Sequence, residues 1–142
     1  MYEKIAENIA RKEHKDQKRW SGEPYITHPE AIVKQLRSEK WCFINLDYLF
    51  ATAWLHDVIE NCNITVGDLL GAKIPDEIIE SLLAISKVDN EDYLNYILRV
   101  SNNEIARIVK IADITHNLST IGDGKKDRKD KYKLAIYILT KE

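Results

Sequence analysis

Residues 46–61 constrain this chain most. Leu46, Leu49, Phe50, Ala53 and Trp54 recur at the three- and four-residue spacing of one helical face. One turn further the same face carries His56, Asp57 and Glu60 where leucines would continue it. A carboxylate left unpaired in a core is very costly, so each of these groups needs a partner. A shared metal ion would satisfy His56 and Asp57 together and leave Glu60 facing the same cavity. A lone histidine on an apolar face is more often an ordinary core residue. The adjacent aspartate and the glutamate behind it favour a metal site here.

A second stretch repeats the pattern. Ile105, Ile108, Val109 and Ala112 form an apolar stripe that positions 113 and 116 extend, and those are Asp113 and His116, with Asn117 one turn beyond Asp113. A single buried aspartate usually pairs with a nearby lysine or caps another helix. Two helices presenting acids and imidazoles inward make shared metal ligation the stronger reading. His28 supplies a fourth candidate, although its position relative to His56 is not readable from sequence. Two imidazoles and two carboxylates suit Mn2+, with iron, cobalt, nickel or zinc as alternatives. No thiolate joins the set, so a finger-type structural zinc is not expected.

Around these stretches the chain reads as helices throughout. Expected spans are residues 2–17 (Ile5, Ala6 and Ile9 inward), a helix capped by Thr27 through Leu36 with His28 in its first turn, and 46–61 as one helix. A short helix follows a cap at Thr65. The next begins at Pro75 and Asp76 with Ile78, Ile79, Leu82 and Leu83 inward. Another is capped by Asp89 or Asn90 and runs through Val100. Then come 103–118, capped by Ser101 or Asn102, and 128–140 after a mobile loop at 121–129. Ser21, Gly22 and Pro24 break the chain ahead of His28. No run alternates with period two. The expectation is an all-α, compact bundle of seven to eight helices, with residues 1–142 as one domain.

Function classes narrow further. A formal net charge of −2 gives no global basic field for nucleic acid. No apolar run approaches the length of a membrane span, and residues 1–12 mix acids and bases rather than forming a signal peptide. Cys42 and Cys62, without a CxxC spacing, point to a reduced, cytoplasmic setting.

His28, the His56–Asp57 pair and Asp113, in this order, resemble the H…HD…D pattern of the HD superfamily of metal-dependent phosphohydrolases. Within it the chain is most similar to the hydrolase domain of RelA/SpoT proteins and its small stand-alone relatives. The stretches that carry the resemblance are 22–29 (Gly-Glu-Pro-Tyr-Ile-Thr-His-Pro), 53–60 (Ala-Trp-Leu-His-Asp-Val-Ile-Glu) and 109–117 (Val-Lys-Ile-Ala-Asp-Ile-Thr-His-Asn). His14, Lys15, Gln17 and Arg19 look like the family's segment ahead of its Pro-Tyr-Ile turn.

The resemblance implies an HD-type fold and hydrolysis of (p)ppGpp at its 3′ position, ppGpp and water giving GDP and pyrophosphate in a manganese-dependent step. It also implies His28, His56, Asp57 and Asp113 as metal ligands. Glu60 would orient or deprotonate the attacking water, and Asn117 would bond the nucleotide's sugar or phosphate. Arg128 and Tyr132 match an Arg/Tyr pair that contacts the ligand in small relatives, and Lys15 and Arg19 would face base or phosphates. The family follows its glutamate with an acid, whereas Asn61 stands here and carries neither proton nor charge. Ile114 and Thr115 also replace a common Arg-Leu pair. These departures imply a slower alarmone hydrolase, an HD-type nucleotidase or phosphatase on another small nucleotide, or a nucleotide-binding module without turnover. No oligomeric state follows from the residues.

Overall fold

Every residue from Leu49 to Leu55 is buried. A helix apolar on all sides belongs at the centre of a packed structure rather than at its surface. The computed structural model describes residues 1–141, and it arranges the other helices around this one. In chain order they are α1 (Tyr2–Glu13), α2 (Thr27–Arg37), α3 (Leu46–Leu55), α4 (Val58–Asn61), α5 (Val66–Gly71), α6 (Asp76–Ile85), α7 (Tyr93–Ser101), α8 (Glu104–Thr120) and α9 (Lys126–Thr140). Helix α3 packs against α1, α2, α6 and α8, and α9 closes the far side against α7 and α8. The architecture is all-α, with one isolated bridge, Lys18 to Pro24, and no strand among the described residues. Counting α3 and α4 as one interrupted helix gives eight.

Side-chain caps set most of the starts. Asn45 accepts the Tyr48 N–H (3.1 Å), and Thr65 with Asp68 forms a reciprocal capping box. The cap of α7 is Asp92, not Asp89 or Asn90, because Asn90 is used at a positive φ of 65° in the preceding turn. The cap of α8 is Asn103, one or two residues later than expected; it accepts from Ala106 N (2.9 Å) and from the Ser81 hydroxyl on α6 (3.2 Å). Thr27 does not cap α2. The turn before it already satisfies the first N–H groups (Thr27 to Pro24, His28 to Tyr25, Glu30 to Ile26), and the Thr27 hydroxyl instead donates to Pro24 O at 2.7 Å.

Two spans end earlier than their patterns suggest. Helix α1 stops at Glu13, because His14 turns into the core and donates from Nδ1 to Gln17 Oε1 (2.8 Å), while Gln17 Nε2 reaches Asn61 O (2.9 Å). Helix α3 stops at Leu55, and the chain passes through His56 and Asp57 (φ −110°, ψ 0°) before one further turn, α4. Helix α9 begins two residues earlier than expected, at Lys126. Leu46 and Leu83, expected inward, are exposed: Leu46 opens α3 ahead of its buried run, and Leu83 lies a step past the Ile78–Ile79–Leu82–Ile85 stripe.

The loop between α1 and α2 folds back on itself. Arg19 N donates to Glu23 O (2.8 Å), Tyr25 N to Gln17 O (2.8 Å), and Gly22 takes a φ of 90° that side chains resist. That turn delivers Tyr25 and then His28 to the break between α3 and α4.

Candidate metal centre

His28 comes from the first turn of α2, His56 and Asp57 from the α3–α4 break, and Asp113 from the middle of α8. These three elements pack on one another because the apolar faces beside them do. One donor atom from each of the four residues lies within 4.8 Å of the others. His28 Nε2 is 2.7 Å from Asp113 Oδ1; His56 Nε2 is 3.0 Å from Asp57 Oδ2 and 3.4 Å from Asp113 Oδ1. His28, His56 and Asp113 are buried, and Asp57 is partly so.

The donor chemistry fits a cation. His56 Nδ1 donates to Ala53 O at 2.8 Å, so a neutral His56 carries its lone pair on Nε2. That buried nitrogen has no hydrogen-bond donor to meet and faces two carboxylate oxygens instead. Three electron-rich atoms held together require a proton or a metal ion between them. Without metal the proton takes that place: burial opposes it, but Asp57 and Asp113 hold His56 well above its ordinary value. Burial likewise pushes Asp57 up, but His56 outweighs it and Asp57 falls to about 2.

The signs predict how metal-stripped protein responds to pH. The raised His56 contributes stability that is complete below its ordinary value of 6.5 and is lost as pH rises through its higher native value. The depressed Asp57 contributes above its ordinary 3.8 and is lost as pH falls toward about 2. In chelator the melting temperature is therefore expected to decline on both sides of a mildly acid to neutral plateau. Saturating divalent metal should abolish the alkaline decline, because binding needs the unprotonated ring. Thermal denaturation across pH, with and without metal, checks both.

The surrounding side chains complete the site. Asp113 turns its second oxygen, Oδ2, to Lys110 Nζ at 2.8 Å, so it faces the imidazoles and pairs with a lysine at once. The Tyr25 hydroxyl donates to Asp57 Oδ2, and burial followed by the Asp57 charge pushes that phenol upward. A cavity of about 280 Å³ opens over the cluster, with Lys18, Arg19 and Lys110 as cations and Asn61 and Asn117 as amides on its wall. Arg19 is buried and donates to Asn117 Oδ1 (3.1 Å) and the Thr120 hydroxyl (3.0 Å); Asn117 Nδ2 in turn approaches Asp113 Oδ1 at 3.4 Å.

Other expected residues lie further out. The Glu60 carboxylate accepts the Lys87 N–H at 2.5 Å on the wall of a neighbouring cavity; burial, then the Lys87 bond against it and Asp57 with it, leave its pKa raised. Lys15 is exposed and absent from the cavity wall. Arg128 sits 5.7 Å from the ring of Trp20, which does line the cavity, and Tyr132 is half-buried, pushed up by burial and by Asp113. Tyr25, Lys110 and Trp20 were not singled out by sequence. Lys110, three residues before Asp113, was findable from helical spacing; Tyr25 and Trp20 depend on the path of a loop.

A His-Asp pair thus stands at the break of the central helix of this all-α bundle, facing a histidine and an aspartate from two other helices. Over an alignment of 132 residues covering 85% of this chain, it is 34% identical to the guanosine-3′,5′-bis(diphosphate) 3′-pyrophosphohydrolase of Vibrio cholerae and to the bifunctional (p)ppGpp synthase/hydrolase SpoT of Escherichia coli K12. It is 31% identical, over 84% of its length, to the GTP pyrophosphokinase rsh of Brucella melitensis. The chain spans 17–18% of the length of these three relatives. A solved metazoan ortholog of SpoT, described as hydrolysing ppGpp, superposes with a TM-score of 0.77 over 97% of this chain and 83% of that one, at 21% identity. No protein-family profile matches. The chain thus has the fold of that solved structure and is similar in sequence to part of each of these relatives. Among the described residues no helix is long and apolar enough to cross a membrane.

Proposed function

We propose that the protein is a metal-dependent phosphohydrolase acting on (p)ppGpp, converting ppGpp and water to GDP and pyrophosphate. The observation that carries this reading is the convergence of two imidazoles and two carboxylates from three elements beneath a cavity walled by cations. Residues 1–142 then form one hydrolase domain, with His28, His56, Asp57 and Asp113 as ligands. Mn2+ is the ion favoured by an all-nitrogen-and-oxygen donor set. When bound, such an ion acidifies a water and neutralises phosphate oxygens.

The chain's own residues divide the remaining work. Glu60 receives or steers the water's proton from the wall of the adjoining cavity, where its Oε2 takes no hydrogen bond among the described residues. Arg19, Lys18 and Lys110 oppose the charge of the phosphates. Asn117, already oriented by Arg19, bonds the sugar or a phosphate. Lys15, Arg128 and Tyr132 meet only a ligand that extends past the cavity mouth. The reading places the protein in the cytoplasm, where unpaired Cys42 and Cys62 stay reduced.

Asn61 on the cavity wall favours one alternative, a site that holds a nucleotide with slow or no turnover, or that turns over another small nucleotide. A Mn2+-supplemented panel of nucleotides with product identification separates these. GDP and pyrophosphate from ppGpp are expected. Orthophosphate from a different nucleotide, or thermal stabilisation by ppGpp without products, would replace the proposal with one of its alternatives. In the last case Asn61→Asp should switch hydrolysis on.

A further inference from the structure

The two histidines of the centre have different outer partners. His56 Nδ1 donates to a backbone carbonyl, Ala53 O, which fixes its tautomer outright. His28 Nδ1 instead meets another imidazole: it lies 2.7 Å from Nδ1 of His116, with the two rings stacked at a centroid distance of 4.9 Å and an interplanar angle of 26°. His116 stands three residues after Asp113 on α8, so the helix that presents the carboxylate also presents this ring from the same face.

Two ring nitrogens at that separation share one proton, and its owner decides what His28 does. If His116 carries it, His28 Nδ1 is the acceptor and the His28 proton sits on Nε2, where it donates to Asp113 Oδ1 at 2.7 Å. In that form His28 has no lone pair facing the centre. If His28 carries it, Nδ1–H donates to His116 Nδ1, and Nε2 and Asp113 Oδ1 are both free to face a cation. The exchange keeps the proton count of the neutral pair. The His28 proton passes from Nε2 to Nδ1 while that of His116 passes from Nδ1 to Nε2.

We propose that His116 is a positioning residue for the metal: its Nδ1 accepts the Nδ1 proton of His28 and so selects the tautomer in which His28 Nε2 coordinates. Outer partners of ligating histidines are ordinarily carboxylates or carbonyls, which can only accept; an imidazole can do either, so its own tautomer matters. This inference rests on the metal reading above, and the test is arranged to separate the two.

Mn2+ is titrated calorimetrically into the full chain, into His116→Phe, which keeps a stacked ring without an acceptor, and into His116→Asn, whose amide oxygen stands near the position of Nδ1. His116→Phe is expected to weaken Mn2+ binding by about 10–100-fold, while His116→Asn stays close to the parent. A purely structural residue would lower the metal-free melting temperature and leave the dissociation constant alone. Equal Mn2+ affinity in parent and His116→Phe, or equal loss in both variants, overturns the proposal. If His116→Phe does not fold, long-range proton–nitrogen NMR of the parent loaded with diamagnetic Zn2+ decides. A protonated His28 Nδ1 against an unprotonated His116 Nδ1 is expected, and the reverse is fatal. A parent that binds no divalent ion sinks the metal reading and this inference with it. A parent that binds while indifferent to position 116 sinks this inference alone.

Discussion

Asp113→Ala is expected to cost up to about 3–5 kcal/mol of folding stability in addition to metal binding, because it strands a mostly buried lysine. Lys110 reaches Asp113 Oδ2 at 2.8 Å, and the two side chains are 16% and 6% exposed. Burial disfavours the ammonium, but Asp113 holds it charged well above the ordinary lysine value. Without Asp113 that charge keeps only the face of the Tyr96 ring, 5.3 Å from its Nζ, and no carboxylate at contact distance among the described residues. The companion variant isolates the cause: Asp113→Ala combined with Lys110→Met should recover most of the lost stability in a urea titration and none of the metal binding. Recovery of neither would mean that Asp113 supports the fold through its histidine contacts rather than through Lys110.

Asp57→Ala should give a different profile. Asp57 is the least enclosed of the four candidate ligands, and Lys110 keeps its own carboxylate. The metal-free variant should therefore lose less stability than Asp113→Ala, the loss coming from its His56 and Tyr25 contacts alone. At a free Mn2+ concentration a hundred times the dissociation constant, the parent should gain about 2.7 kcal/mol from mass action alone, and the variant should gain nothing. Stripping the parent with chelator should erase the same increment. Under the proposed function, ppGpp hydrolysis by the variant should fall to the background of the assay. A variant that keeps its metal-dependent stabilisation would remove Asp57 from the ligand set.

Much of the fold and of the candidate site is legible in the sequence. The three/four spacing from Leu49 to Trp54 and from Ile105 to Ala112 is a local property of the chain, and it marked the two core helices and the polar residues interrupting them. The single helix expected over 46–61 failed for a reason the pattern cannot hold. His56 and Asp57 are consumed by partners on other elements, Asp57 by Tyr25, and the backbone yields there. The early end of α1 has the same origin in the contacts of His14 and Gln17 with each other and with Asn61. The caps lie one to three residues from the expected positions because Asp89, Asn90, Ser101 and Asn102 are all competent side chains; backbone φ and the neighbour Ser81 favour Asp92 and Asn103 over them. The dual role of Asp113, with one oxygen to lysine and one to imidazole, needed both halves of a choice that sequence reasoning treats as exclusive. Glu60 shows the limit from the other side: its spacing aims it inward, and only the structure reveals the Lys87 N–H that has claimed one of its oxygens.

Helix α3 ends where the ligands begin, and it is walled in by α1, α2, α6 and α8. The four candidate ligands therefore meet only when α2, α3 and α8 have packed together, because His28, the His56–Asp57 pair and Asp113 are far apart in the chain. For the Mn2+ site proposed above, fractional occupancy under heat or urea is then expected to follow the population of native protein, with metal loss reporting collapse of the bundle.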